Sequence, residues 1–320
     1  MTFCDGDSED SWYLEGDVLK GDSRTYLINR VIGRGTFGCV YRATCGAESV
    51  AIKTLRDTKE AFEGGMNEVC VLTSLAQARD PSIVKILDHF YTHGHLCIVE
   101  ELLGESALDL LTRNEFRGLP FETIRNVSFQ VLSALITLES NEIVHGDLKV
   151  ENIAFGMADP SRVILIDFGT SVHEGIASAG DYIQARHYRS PEVLLGAPYS
   201  YPIDCWSLGA IVVELAMGSV LFPGVDEFDQ ISQIVSMLGF PPAEVISRGK
   251  FSHRFFKRDE SSESGFALKS AAEYEKECGR RPANKGRRFV KSIKELLNRS
   301  PSEMSPNEKL SLSNFAQGLL

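Results

Sequence analysis

The chain has 320 residues, 43% of them hydrophobic, which is enough to form two lobes that each bury a core. Its formal net charge of -11 argues against nucleic acid as a main partner. No run of eighteen apolar residues occurs, so we expect no spanning helix and no membrane partner.

The seven cysteines are scattered, odd in number and without a CxxC pair. This pattern favours reduced thiols over a disulfide framework or a zinc site. The start of the chain lacks the charged-then-apolar order of a signal peptide. We therefore expect a cytoplasmic or nuclear protein, and we expect it to be a monomer.

Residues 1–22 form an acidic segment with one apolar group, which we expect to touch the folded part of the chain. That group consists of Trp12, Tyr13, Leu14, Val18 and Leu19. Residues 26–99 contain mainly β-like runs and one helical stretch.

A glycine-rich loop follows the apolar run 26–32. Its G-x-G-x-x-G-x-V pattern consists of Gly33, Gly35, Gly38 and Val40. Alone, the pattern also fits an ordinary hairpin, and a dinucleotide-binding loop would need a helix directly after it. A second β-like stretch, 39–43, follows instead, and then the strand-like run 49–53 that ends in Lys53. This order predicts a loop over nucleotide phosphates, with Lys53 reaching the α- and β-phosphates.

The helical stretch 59–77 offers carboxylates to hold Lys53, of which Glu68 lies at the right distance along the chain. Gly64 and Gly65 lie inside this helix and each costs about 1 kcal/mol relative to Ala. We therefore expect the helix to be loosely formed or mobile.

The second half of the chain is predicted to be mainly helical. Apolar residues recur at helical spacing in 121–138, and residues 206–217 are apolar nearly all round, as in a buried central helix. Residues 249–288 are charged, and we interpret them as a surface insert of partial order. A basic cluster within them fits either a solvated face or an import or docking patch: Arg280, Arg281, Lys285, Arg287 and Arg288.

The segment His-Gly-Asp-Leu-Lys-Val-Glu-Asn at 145–152 and the triplet Asp-Phe-Gly at 167–169 carry the chemistry. Asp147, Lys149, Asn152 and Asp167 have the order of a phosphoryl-transfer site. That reaction needs a carboxylate to orient the attacking hydroxyl, and oxygen ligands for the Mg²⁺ that neutralises the phosphates.

These motifs resemble those of eukaryotic protein kinases over roughly residues 12–316. Within them, the chain resembles the dual-specificity tyrosine-regulated kinases, nearest to the Yak-type subgroup. The segments that carry the resemblance are HLCIV at 95–99, DYIQARHYRSPEVLLG at 181–196, IDCWSLG at 203–209 and the stretch 222–242.

The resemblance implies a two-lobed α+β fold. The β-rich N-lobe with one regulatory helix would span 23–103, and the mainly α-helical C-lobe would span 104–320, including the charged insert. Residues 9–20 resemble a short form of the box that precedes the kinase domain in that family. Trp12 and Tyr13 would then pack on the N-lobe.

The resemblance also implies roles for single residues, with ATP and Mg²⁺ as cofactors. Asp147 would be the base, Lys149 would contact the γ-phosphate, and Asn152 and Asp167 would bind Mg²⁺. The ATP pocket would be formed by Ile32, Gly33, Gly35, Gly38, Val40, Ala51, Lys53 with its partner Glu68, and the hinge residues Glu101 and Leu103. Asp204 would brace the catalytic loop.

Several positions depart from the family pattern. Gly146 replaces the usual Arg, and Val150 replaces Pro. Glu100 places a carboxylate at the back of the adenine pocket, where it must become neutral or find a cation. We consider two interpretations: Glu100 competes with Glu68 for Lys53, or it points to water. Lys309 is expected to pair with Glu192 in place of an Arg.

Tyr182 is the single tyrosine where the family has Tyr-x-Tyr. By resemblance, Tyr182 would be autophosphorylated, and Arg186 and Arg189 would then bind the phosphate through charge-assisted hydrogen bonds. Alternatively, it is only a packed loop aromatic.

The motifs predict a Ser/Thr protein kinase, and the resemblance implies that it prefers proline after the acceptor, often with Arg a few residues before it. The alternatives are a pseudokinase that acts as a scaffold, or a kinase of a neighbouring branch such as the Clk-type or homeodomain-interacting kinases.

Overall fold

The computed structural model describes residues 12–35, 38–176, 179–262, 264–283 and 292–320. It confirms the α+β fold with a β-rich lobe followed by a helical lobe. The acidic residues 1–11 and the basic residues Lys285, Arg287 and Arg288 lie outside the described part. Arg280 and Arg281 lie within it and are exposed.

The N-lobe is a six-stranded antiparallel sheet in the order β1-β2-β3-β4-β6-β5 with one helix. Its elements are β1 (Val18–Lys20), β2 (Thr25–Gly35), β3 (Gly38–Cys45), β4 (Glu48–Leu55), α1 (Lys59–Leu75), β5 (Ile86–Thr92) and β6 (His95–Glu101). Alternate residues of β3 and β4 are buried, among them Tyr41 and Ile52, as the two-residue period of a strand requires.

Helix α1 is continuous, in contrast to the loose helix that we expected. Thr58 caps it by accepting a hydrogen bond from the backbone N–H of Ala61, at 3.2 Å. Gly65 has a packing reason: a Cβ there would stand 2.1 Å from Leu55 Cδ1 and 2.9 Å from Leu96 Cδ2. The glycine that weakens the isolated helix thus lets α1 lie close to β4 and β6.

Trp12 and Tyr13 pack on the N-lobe, as predicted. The Trp12 ring stacks on His95 with 4.4 Å between ring centroids. The hydroxyl of Tyr41 accepts hydrogen bonds from the backbone N–H groups of Trp12 and Tyr13, at 3.1 and 3.3 Å. The box therefore extends the core of the sheet.

The C-lobe is built around a buried central helix, α5. Its helices are α2 (Ala107–Arg113), α3 (Phe121–Ser140), α4 (Pro191–Leu195), α5 (Pro202–Met217), α6 (Glu227–Leu238), α7 (Ala243–Arg248), α8 (Ser252–Phe255), α9 (Ala271–Cys278), α10 (Ile293–Asn298) and α11 (Pro306–Leu319). Helices α3, α10 and α11 pack against α5. Among the described residues, no helix has the length and apolar character needed to cross a membrane.

Short strands follow the N-lobe sheet along the chain, and some of them flank the catalytic loop. They are β7 (Leu103–Ser106), β8 (Ile143–Val144), β9 (Ile153–Gly156), β10 (Val163–Leu165), β11 (Val172–His173), β12 (Phe256–Arg258) and β13 (Phe266–Leu268). Strand β9 pairs with β7 and β10, and β8 pairs with β11.

The region in which we expected partial order is structured where it is described. Helices α8 and α9 and the hairpin β12-β13 lie there, and Phe255, Phe256 and Phe266 are buried in the C-lobe core. Buried aromatic residues among many charges therefore anchor this segment to the C-lobe.

Candidate active site

The catalytic loop lies between β8 and β9, and Asp204 holds it as predicted. The Asp204 carboxylate, at the start of α5, accepts hydrogen bonds from the backbone N–H groups of His145 (2.7 Å) and Gly146 (3.1 Å). Burial raises the pKa of Asp204, an effect that these contacts partly oppose. Gly146 has φ 74°, and a Cβ there would lie 3.1 Å from the carbonyl oxygen of Thr170, so a side chain would be strained.

Three predicted residues meet in this loop. The Lys149 ammonium lies 2.5 Å from Asp147 Oδ2. The Asn152 amide nitrogen donates to the backbone carbonyl of Asp147 at 2.8 Å and to its Oδ2 at 3.3 Å. The carboxylate of Asp147 is thereby fixed in orientation, next to a cation suited to a phosphate.

Lys53 joins the two lobes. Its ammonium lies 2.7 Å from Glu68 Oε2 on α1 and 2.9 Å from Asp167 Oδ1. Burial alone would lower the pKa of Lys53, but Glu68 and Asp167 outweigh burial and raise it. Burial would raise the pKa of Asp167, and Lys53 outweighs that effect and lowers it. Lys53 and Asp167 are therefore charged at neutral pH, while burial raises the pKa of Glu68 and Lys53 opposes that shift.

The residues predicted to bind Mg²⁺ have suitable atoms. The amide nitrogen of Asn152 is engaged by Asp147, so its oxygen is the atom that it offers, and Asp167 offers a partly exposed carboxylate. In the described ranges, no group of three His, Cys, Asp or Glu side chains could hold a metal alone. Such a sparse oxygen set fits Mg²⁺ that is shared with nucleotide phosphates.

The glycine-rich loop and the β4 strand lie side by side. Val40 pairs with Lys53, and Gly33 pairs with Val40, so the strands on either side of the glycine-rich turn run beside the lysine. A Cβ at Gly38 would stand 2.0 Å from the carbonyl oxygen of Thr54, so only glycine permits this approach. Further predicted pocket residues lie in the same sheet: Ile32 and Gly35 on β2, and Ala51 on β4 opposite Glu100.

The hinge contains an ion pair that the sequence did not reveal. Glu101 accepts two hydrogen bonds from Arg162, whose Nη1 and Nη2 lie at 2.8 and 2.9 Å. The backbone N–H of Glu101 donates to the carbonyl of Lys85 at 3.1 Å, so this group is not available to adenine. Leu103 lies at the start of β7, opposite Gly156. No motif surrounds Arg162, which lies 61 residues from its partner.

The structure fits neither interpretation of Glu100 completely. Lys53 bonds to Glu68 and Asp167, so Glu100 does not capture it. The Oε1 of Glu100 is buried and has no hydrogen-bond partner among the described residues, although the residue as a whole is half-buried and not fully removed from water. Burial, and then the charge of Glu68, raise the pKa of Glu100 to about 8, although Lys53 opposes the shift.

The Tyr182 region is only partly assembled. The Arg189 guanidinium lies 4.0 Å from the centre of the Tyr182 ring, and a hydrogen bond and the charge from Arg189 lower the pKa of Tyr182. Arg186 instead donates to the carbonyl of Val225 at 2.8 Å. Tyr182 itself is 74% exposed. Of the two predicted arginines, Arg189 is thus in place and Arg186 is held elsewhere.

The expected pair between Glu192 and Lys309 is wrong. The Lys309 ammonium, on α11, reaches the carbonyl oxygen of Ser300 at 3.5 Å. No ion pair joins it to Glu192 within the described part of the chain. Resemblance placed Lys309 by its position along the sequence, and the geometry of α11 takes it to another acceptor.

Comparison with known proteins agrees with this site. The family model described as "Protein kinase domain" matches residues 26–303. The dual specificity protein kinase YAK1 of Saccharomyces cerevisiae is 39% identical over 258 residues, 78% of this chain and 32% of the yeast protein. Homeodomain-interacting protein kinase 2 of Mus musculus is 39% identical over 277 residues, 83% of this chain and 23% of that protein.

A third relative is closer in length. The probable dual specificity protein kinase YAK1 homolog of Encephalitozoon cuniculi is 40% identical over 258 residues, 80% of this chain and 64% of that protein. The chain thus spans about two thirds or less of these curated relatives. The predicted resemblance to Yak-type kinases is confirmed, and the chain belongs to the protein kinase family.

Proposed function

We propose that the chain transfers the γ-phosphate of ATP to Ser or Thr of protein substrates, prefers proline after the acceptor, and autophosphorylates Tyr182. The observation that carries the proposal is Lys53 bonded at once to Glu68 and Asp167, because it brings the nucleotide lysine, α1 and the Mg²⁺ ligand into one geometry.

Transfer needs little covalent chemistry from the protein. Asp147 orients the substrate hydroxyl and accepts its proton, while Lys149 and Lys53 stabilise the negative charge of the phosphates. Mg²⁺, when bound with ATP, neutralises further charge on the β- and γ-phosphates. The scaffold alternative loses support because the base, the lysine and both Mg²⁺ ligands are close together.

The backbone at Gln184 supports the preference for proline. Gln184 has φ 61°, which is uncommon for a residue other than glycine. Its carbonyl accepts hydrogen bonds from Arg189 Nε (3.1 Å) and Nη2 (2.8 Å). The Gln184 carbonyl is therefore turned toward Arg189 and cannot accept a hydrogen bond from the backbone N–H of a substrate. Proline has no N–H and loses nothing, whereas another residue leaves a donor unpaired, at about 1–3 kcal/mol if it is buried.

Two carboxylates support a basic residue before the acceptor. Glu151 is exposed beside the catalytic loop, and Glu214 on α5 has a buried Oε2 without a hydrogen-bond partner among the described residues. Burial and, to a smaller extent, the charge of Glu151 raise the pKa of Glu214 to about 7, which a hydrogen bond from Tyr188 opposes. The positive charge of a substrate Arg would reduce the repulsion between the Glu151 and Glu214 carboxylates.

Transfer of labelled phosphate to a library of peptides tests the proposal, with Asp147→Asn as the inactive control. We expect Mg²⁺-dependent transfer to Ser or Thr, about tenfold faster with Pro than with Ala after the acceptor, as expected from the unpaired donor. Equal rates would remove the proline preference. No transfer by folded protein would favour the scaffold.

Cytoplasmic or nuclear location remains a proposal based on the cysteines.

A further inference from the structure

Asn67, the residue before Glu68 on α1, makes contacts that the kinase motifs do not include. Its side-chain amide lies near three backbone carbonyls in and after the Asp-Phe-Gly triplet. The nitrogen lies 2.7 Å from the oxygen of Ser171, 3.3 Å from that of Gly169 and 3.4 Å from that of Phe168. An amide nitrogen carries two hydrogens, so Ser171 takes one and the other two carbonyls share the second.

The same turn of the chain is held by α1 in two further ways. Glu68 Oε1 accepts a hydrogen bond from the backbone N–H of Phe168, at 3.1 Å. Gly64 lies against Gly169: a Cβ on Gly169 would stand 3.5 Å from the Gly64 carbonyl oxygen. Helix α1 thus binds both donors and acceptors of the turn 168–171.

The turn 168–171 is also hydrogen-bonded directly to the catalytic loop. The Ser171 backbone N–H donates to the carbonyl of Phe168 at 3.1 Å, and its hydroxyl donates to the carbonyl of His145, also at 3.1 Å. A continuous set of hydrogen bonds therefore runs from Asn67 through Ser171 to the loop that carries Asp147. Ser171, Phe168 and His145 are buried, so water does not readily replace these bonds.

We propose that Asn67 is a positioning residue that couples α1 to the turn 168–171, so that Glu68 and Asp167 reach Lys53 together. This inference rests on the proposed kinase function for its effect on rate, but the coupling itself is a property of the fold. Without Asn67, α1 can shift away from the turn. The arrangement in which Glu68 and Asp167 both bond to Lys53 is then only one of several that the protein adopts.

The test compares Asn67→Leu, which keeps the size and removes the donor, with Asn67→Gln, which keeps an amide donor. The matched control is Asn126→Ala on α3, since Asn126 also donates to a backbone carbonyl, that of Ser161, at 2.8 Å and far from the site. For each variant, kcat, KM for ATP, the melting temperature and the hydrogen exchange of the backbone N–H groups of Phe168 and Ser171 are measured.

We expect Asn67→Leu to lower kcat by roughly tenfold or more, the effect of losing one to two hydrogen bonds. Exchange at Phe168 and Ser171 should become faster, the melting temperature should fall no more than in Asn126→Ala, and Asn67→Gln should recover part of kcat. Unchanged exchange in Asn67→Leu overturns the coupling, whether or not the protein proves to be a kinase. Faster exchange with unchanged kcat overturns its role in catalysis.

Discussion

The region around Lys53 and the region around Tyr182 both gather charged side chains, but they are organised differently. At Lys53, one cation meets the carboxylates of Glu68 and Asp167 within 2.9 Å, in a largely buried setting. At Tyr182, Arg189 covers an exposed ring and bonds to backbone carbonyls, while Arg186 bonds to Val225. The first region is complete without a ligand, whereas in the second the anion nearest to Arg189 is Glu227, whose Oε1 lies 3.9 Å from the guanidinium.

The difference separates the contacts that the fold alone provides from those that the proposed phosphorylation of Tyr182 would add. A buried charge must be paired within the fold, because an unpaired one costs several kcal/mol. Arg189 is only 3% exposed and is held by the backbone carbonyl of Gln184 and by Glu227, whereas an exposed arginine such as Arg186 needs no anionic partner. The contacts of Lys53 are therefore built into the fold, whereas under the proposed function the loop around Tyr182 would gain further contacts from a phosphate.

The largest expected effect is at Lys53. Lys53→Met leaves Glu68, Asp167 and Glu100 without their shared cation, and we expect a loss of about 3 kcal/mol in the free energy of unfolding. Phosphate transfer should fall at least a thousandfold, since one preorganised charge in such a site is worth about 10²–10³ and the geometry of Asp167 is lost as well. Urea unfolding and peptide phosphorylation measure both.

Lys59→Met is the matched control for that variant. Lys59 is exposed and pairs with Glu63 at 3.7 Å, so its loss should change stability by less than about 0.5 kcal/mol. Equal loss of stability in Lys53→Met and Lys59→Met would mean that the buried ion pairs of Lys53 stabilise the fold no more than an exposed ion pair does.

Glu100 gives the next largest effect, on the pH dependence of stability. The folded state raises its pKa to about 8, above the usual 4.5, because it is buried. Between these values the folded chain keeps a proton that the unfolded chain releases, so stability falls as pH rises through this window. The limit is about 1.4 kcal/mol per pH unit.

Comparison of the parent with Glu100→Gln isolates this effect, because the amide does not titrate. From about pH 5 to about pH 8, we expect the parent to lose roughly 2 kcal/mol relative to the variant, less than the limit because the site relaxes around the charge. Parallel urea midpoints across this range would show that Glu100 is ionised throughout. Glu100→Phe with unchanged kcat and KM for ATP would also exclude any influence of Glu100 on Lys53.

Residues that act through local motifs could be predicted from the sequence. Asp147, Lys149 and Asn152 lie within six positions of one another, so the loop alone brings them together. Lys53, Glu68 and Asp167 are distant in sequence, and resemblance to the family placed them because a shared fold fixes their strands and helix.

Residues that act through tertiary contacts could not be predicted. Arg162 and Asn67 have no motif, and their partners lie 61 to 104 residues away. The cost of Gly65 in α1 could be predicted from helix propensity, but its use could not, because that depends on Leu55 and Leu96 on two strands. The pairing of Lys309 with Glu192 was wrong for the same reason.

Tyr182 should give an intermediate effect on activity. When the chain is made in a host without tyrosine kinases, we expect Tyr182 to carry phosphate in the parent and none in Asp147→Asn. Tyr182→Phe should lower kcat by roughly tenfold, the value of one or two charge-assisted hydrogen bonds to Arg189 and Arg186. Tyr91→Phe, at another exposed tyrosine, is the control. Full activity with unmodified Tyr182, seen by mass spectrometry, would rule out this mechanism.

The smallest effect is expected at Lys309, whose side chain is half-buried on α11 and makes one long contact, 3.5 Å, with the carbonyl of Ser300. A hydrogen bond at this distance is weak, and Ser300 keeps its separate hydroxyl contact with the carbonyl of Ala216. Lys309→Met preserves the apolar stem and should change the free energy of unfolding by less than about 0.5 kcal/mol. Glu192→Gln should not add to or cancel that change, because the two residues do not touch. A coupling energy above about 0.5 kcal/mol in the double-mutant cycle, measured by urea unfolding, would restore the ion pair that the structure lacks between these residues.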